Sequence, residues 1–112
     1  MADTGRFVRG MPAEAAAGLN ELGGRLRLAR RRRRITAKAM AQQVFVSCPT
    51  LRKMERGDPT ISAGVYVTAL FVLGLAGDIG AVAVPEADAV GLAAVARRSP
   101  RRRRVPAHDD DF

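Results

Sequence analysis

The chain carries a single cysteine, at position 48, and a single histidine, at position 108. One cysteine excludes an intramolecular disulfide and a cysteine-rich zinc site, and a reducing cytoplasm is its natural setting. His108 has no companions for a ligand set or a catalytic triad. The chain shows no Gly-rich loop to cradle phosphates, no paired carboxylates in a defined site and no nucleophile–base arrangement. No enzyme is therefore expected, and no cofactor or metal. The opening MADTGRFVRG has no apolar core, so it does not read as a secretory signal. A long apolar run is missing too. Pro59–Gly77 is free of charged side chains, but Gly64, Gly74 and Gly77 interrupt it. Its continuous apolar part is too short for a bilayer and reads as a buried helix of a small bundle.

Acidic residues are also scarce. The 112 residues contain 19 Lys and Arg against 11 Asp and Glu, a formal net charge of +8. Between Arg25 and Arg56 stand Arg25, Arg27, Arg30 to Arg34, Lys38, Arg52, Lys53 and Arg56, opposed by Glu55 alone. Such a balance favours a polyanionic partner whose affinity falls steeply with salt.

What is present is organised around Thr36–Gly57. Thr36 is a good N-cap, and Ala37, Met40, Ala41 and Val44 form one apolar face at helical spacing. Ser47 offers a second N-cap, with Pro49 in the first turn. Val46 and Leu51 are placed for a hydrophobic staple. Leu51 and Met54 point inward, and Gly57 is a C-terminal stop. Cys48, Pro49, Arg52, Lys53 and Arg56 fall along the free side of this second helix, a basic rod of the kind that enters a DNA major groove. The bland alternative is a solvated basic face on an ordinary helical hairpin.

The flanks are read as follows. Residues 1–18 are expected to form a flexible arm with a helical turn near Pro12–Ala17. Asn20 would cap a helix over Glu21–Arg33, with Leu22, Leu26 and Ala29 inward, Ile35 closing its end, and Gly23-Gly24 weakening its first turn. Five arginines in a row, Arg30–Arg34, sweep the whole helix circumference. At least one must face inward, and Glu55 is the acid within reach. Ser62 would cap a helix to Leu73, with Val65, Ala69, Leu70 and Leu73 as core. A weak helix over Asp78–Val84 and another from Pro85 to Arg98 follow; the apolar face of the latter suits helix packing or a dimer contact. Residues 99–112 read as a disordered tail with an Arg-rich and an acidic block. The resulting domains are 1–18, a helix-turn-helix domain over 19–84, a helix over 85–98 and the tail.

These residues resemble the Xre-type helix-turn-helix family, the fold of the phage repressors. The likeness spans Leu22–Ser62. It includes Leu26, Arg30, Arg33 and Ile35-Thr36, then Ala41, Val46-Ser47, and finally Leu51, Met54, Glu55 and Gly57. It implies an all-α, five-helix DNA-binding domain. It also implies that Ser47, Cys48, Pro49 and Lys53 face the groove. Thr50 and Arg52 would lie near its edge or the phosphates, and Thr36 would clamp the backbone. Arg30 and Glu55 would bridge the first and third helices. Two positions depart from the family pattern. Ala37 replaces a phosphate-clamping Gln, with Lys38 as a compensating point charge, and Phe45 replaces the turn glycine. A looser likeness, in Glu55–Ser62, Leu73–Leu75 and the Arg-rich tail, points to HipB-like antitoxins, partners of HipA-like Ser/Thr kinases.

The expected function is therefore a cytoplasmic, sequence-specific repressor. It would bind double-stranded operator DNA as a homodimer and repress its own operon with a kinase toxin. A stand-alone regulator and a basic protein-interaction module are the alternatives. Cys48 would sit at a helix N-terminus beside basic residues, where thiols become reactive. With no second cysteine to pair with, it reads instead as an inert small residue in the groove.

Overall fold

Residues 4–98 are described by the computed structural model, with six α-helices in chain order: α1 (Thr4–Gly10), α2 (Ala13–Arg32), α3 (Ala37–Val44), α4 (Cys48–Glu55), α5 (Ala63–Val72) and α6 (Ala89–Arg98). Short 3-10 turns cover Ala76–Ala81 and Pro85–Ala87, and the described residues contain no strand. The fold is all-α. The chain divides into two compact units, one ending at Gly80 and one beginning at Ala81.

Hydroxyl caps set where the central helices begin. Thr36 Oγ1 accepts from the Ala39 amide at 3.1 Å, Ser47 Oγ from Thr50 at 3.2 Å and Ser62 Oγ from Val65 at 3.3 Å. Each satisfies one of the amides that a helix N-terminus leaves without a partner. The ends share a chemistry as well. One or two residues past the ends of α2, α3, α4 and α5 the chain enters the left-handed region, at Arg34 (φ 57°), Phe45 (φ 63°), Gly57 (φ 76°) and Gly74 (φ 80°). Each is followed by an amide that reaches back five residues to a carbonyl: Ile35 to Arg30, Val46 to Ala41, Asp58 to Lys53 and Leu75 to Leu70. This is the Schellman termination, and it favours glycine at the left-handed position.

The core of the first unit collects Leu26 and Ala29 from α2, Met40, Ala41 and Val44 from α3, Leu51 and Met54 from α4, and Tyr66, Ala69 and Leu70 from α5, with Leu73 beyond it. Leu51 and Met54 are fully buried, which fixes which side of α4 is free. Half-buried Val46 packs against the same core that holds Leu51. Tyr66 is a core member that periodicity did not single out. Its hydroxyl donates to the Asp58 carbonyl at 2.9 Å, tying α5 to the turn after α4.

Several expectations need correction. The first helix of the domain does not start at Asn20. It starts at Ala13, behind Pro12, and runs for 20 residues, with Asn20 in its interior. The alanine-rich stretch Ala13–Ala17 is strongly helix-forming and outweighs the two glycines further on. Residues 4–18, expected as a flexible arm, are accordingly helical except around Met11 and Pro12. The Gly23 position is a contact rather than a weak point. A Cβ there would lie 2.5 Å from the Gly57 amide nitrogen and 2.6 Å from the Met54 carbonyl oxygen. A Cβ on Gly57 would in turn fall 2.5 Å from the Asn20 Cα. The end of α4 therefore rests backbone to backbone on α2. Five helices were expected; the described residues hold six α-helices and two 3-10 turns.

In the second unit, the helix expected from Pro85 is broken. Asp88 Oδ1 accepts from the Gly91 amide at 2.9 Å, so Asp88 caps α6 and separates it from the 3-10 turn before it. No residue of α6 is buried, and Val90, Leu92 and Val95 are exposed. The weak helix expected over Asp78–Val84 is replaced by the 3-10 turn Ala76–Ala81. The tail expectation, residues 99–112, lies outside the described residues. No described helix is long and apolar enough to cross a membrane.

Candidate nucleic-acid interface

The α3–turn–α4 unit begins at Thr36 and ends at Gly57. α3 and α4 pack on each other through Met40, Ala41, Val44, Leu51 and Met54, and α4 also packs against α2. With Leu51, Met54 and Glu55 turned inward, the opposite side of α4 is free. Pro49, Arg52, Lys53 and Arg56 are exposed there and Cys48 is half-buried. These five residues line a shallow hollow of about 300 Å³ on the outer surface of α4. Ser47 is exposed at the tip of α4, and its hydroxyl also bonds Thr50 Oγ1 at 3.0 Å. Thr36 and Lys38 are exposed at the start of α3. The half-buried Thr50 lies at the mouth of α4.

The turn between the two helices is made without glycine. Phe45 holds the left-handed conformation (φ 63°, ψ 43°) and its ring is 91% exposed. A side chain held in that region costs about 1 kcal/mol of strain.

A buried ion pair fixes α4 on α2. Arg30 Nε donates to Glu55 Oε2 at 2.7 Å and Nη2 donates to Oε1 at 3.0 Å, while Nη1 donates to the Ile35 carbonyl at 2.9 Å. Both side chains are almost wholly enclosed. The fork-to-fork geometry holds both groups in one orientation. The hydrogen bonds to Glu55 raise the Arg30 pKa above its ordinary value, against the opposing pull of burial. This pair forms the floor of a cleft of about 340 Å³ whose walls are Arg27, Ala37, Arg52 and Arg56. Just beyond α4, Asp58 accepts from the Thr60 hydroxyl at 2.7 Å and from its amide at 2.8 Å. These bonds, more than nearby Lys53 and Arg56, hold its carboxyl below the usual range.

Two short helices locked by shared core residues, a reversed turn between them and a cationic free side on the second together form a helix-turn-helix. A helix-turn-helix domain profile matches residues 21–79, more than half of the chain. The chain belongs to the helix-turn-helix domain family. No curated protein and no solved structure matches it. The family points to a DNA-binding regulator, and a helix-turn-helix domain is typically not an enzyme. No cluster of His, Cys, Asp and Glu suited to a metal ion occurs among the described residues.

The helix-turn-helix domain gathers Ser47, Cys48, Pro49, Thr50, Arg52, Lys53 and Arg56 on or beside α4, with Thr36 and Lys38 at the start of α3. Sequence reasoning named no residue of α2 other than Arg30 as part of a site. Yet Arg27 shares a cleft with Arg52 and Arg56. In sequence Arg27 stands only as one member of the basic cluster; that it faces Arg52 and Arg56 across a cleft depends on how α2 meets α4 in three dimensions.

Proposed function

We propose that this protein is a sequence-specific transcriptional repressor that inserts α4 into the major groove of operator DNA. The observation that carries this reading is the division of α4 into a fully buried side, Leu51 and Met54, and a cationic free side, Arg52, Lys53 and Arg56. In this reading Lys53 and Arg52 donate to guanine edges. Ser47, Cys48 and Pro49 lie against the bases, while Thr36, Lys38, Thr50 and Arg56 hold the phosphates. Repression follows from occupancy, by a homodimer on a pseudo-palindrome with half-sites one helical turn apart.

The finer reading is that of an antitoxin that represses its own operon together with a HipA-like kinase. Glu55–Ser62 and Leu73–Leu75, which resemble HipB-like antitoxins, support it. Co-expression with a HipA-like kinase encoded beside it should give a stable complex. If no such gene lies alongside, the stand-alone regulator stands in its place.

Binding-site selection from a random duplex library tests the main reading. The wild type should enrich a defined half-site. Lys53→Ala should relax preference at one guanine by about 1–3 kcal/mol while leaving the melting temperature unchanged. Failure of the wild type to enrich any sequence over the starting library overturns sequence-specific repression.

A further inference from the structure

The cationic surface does not stop at α4. Arg52 and Arg56 line both the outer hollow of α4 and the cleft above the Arg30–Glu55 pair. Arg27 and Arg56 line that cleft and also a third, broader groove of about 670 Å³. The third groove continues along α2 through Gly24, Leu28, Arg31 and Arg32. Shared walls make the three concavities one surface, leading from the recognition helix onto the side of α2.

The chemistry of this extension is that of a phosphate track. Arg27, Arg31 and Arg32 are exposed. Arg25 and Arg33 have acceptors within the chain, the Glu21 carboxylate and the Ala29 carbonyl. Among the described residues, the guanidinium groups of Arg27, Arg31 and Arg32 donate to none. The acid at the groove, Glu55, has both oxygens occupied by Arg30. Arginine forks match phosphate oxygens in pairs. The lining offers one exposed apolar side chain, Leu28, and no aromatic residue. A protein partner would call for an apolar, aromatic centre there.

We infer that Arg27, Arg31 and Arg32 form a second contact site, for DNA backbone phosphates outside the stretch read by α4. The inference rests on the DNA-binding reading of α4, since continuity with that helix is what assigns the groove to duplex rather than to an acidic protein. The track adds affinity and positions the domain without reading sequence.

The test is the salt dependence of binding to a random-sequence duplex of about 30 bp, where each phosphate contact contributes a slope of about 0.9. Arg27→Ala/Arg31→Ala/Arg32→Ala should lower the slope of log K against log salt by about 2–3. Arg6→Ala/Arg9→Ala/Arg25→Ala, an equal charge change off the groove, should lower it by less than about one. Replacing the three track arginines by lysine should restore most of the slope. The corresponding glutamine triple, which keeps much of each stem, carries the alanine expectation if the alanine triple does not melt cooperatively. A track variant within about half a unit of wild type overturns the inference, as does an equal fall in the off-groove control. Poly-glutamate binding that the track variant abolishes, with the DNA slope unmoved, would give the groove to an acidic protein and overturn it too. A wild type that binds no duplex even at low salt sinks the DNA reading itself; normal binding that the track variant leaves untouched sinks only the track.

Discussion

Phe45 and Arg34 occupy left-handed positions that the same chain fills with glycine at Gly57 and Gly74. Both side chains are exposed, so neither gains packing in return. Phe45→Gly and Arg34→Gly should each raise stability by about 1 kcal/mol, less a few tenths for the added freedom of the unfolded chain. A denaturant midpoint that stays level or falls in Phe45→Gly would contradict the turn geometry. Tyr66 gives a pH dependence. Burial pushes its hydroxyl from an ordinary 10.0 up to about 12, with Asp58 adding to the shift. The folded state therefore holds this proton more tightly than the unfolded one. The associated stability is complete below pH 10 and is lost as the pH rises towards 12. Tyr66→Phe should be less stable at neutral pH by about 1 kcal/mol through the lost bond to Asp58. It should also lose less stability than wild type across that alkaline window in pH-dependent melts.

The hydroxyl-capped starts of α3, α4 and α5 were the most legible elements, and backbone-to-backbone helix contacts the least. Thr36, Ser47 and Ser62 announce their helices because a cap is chemistry within four residues. The need of one arginine in Arg30–Arg34 for an inward acid followed from helical geometry, and Glu55 meets it. How closely the backbones of α4 and α2 approach left no such trace. Gly23 looks like a helix weakness in sequence, and only its distance from Gly57 shows that it makes room for a backbone. The early start of α2 and the buried Tyr66 were missed for related reasons: an alanine run carries no amphipathic signal, and α5 is apolar all round its circumference. Which side of α4 is free was legible because Leu51 and Met54 occupy the other, whereas the α2 groove arises where two distant segments meet. Gly23→Ala tests this element-scale contact. In an ordinary helix the change would stabilise by up to about 1 kcal/mol. Here it should instead destabilise by about 1–3 kcal/mol, because the methyl group meets backbone that cannot rotate away. Gly24→Ala, whose new methyl group would find nothing within 4 Å, should show the ordinary stabilising sign. Thermal melts of the pair provide the comparison.

At the scale of the whole molecule, the net charge of +8 sets two opposing responses to salt. The cations of Arg25–Arg56 repel one another in the free protein, and added salt screens that repulsion. The melting temperature of the free protein should therefore rise with sodium chloride, while affinity for duplex falls by orders of magnitude over the same range. A melting temperature that falls with salt would mean that attractive surface pairs outweigh the repulsion. The Arg30–Glu55 lock also changes how the molecule's valence is counted. Arg30 spends its guanidinium on Glu55 and Ile35, so the row of five arginines exports the charge of only four. Whatever tally of displaced counterions this protein gives on a polyanion, the basic residue that opens its most cationic stretch should be missing from it.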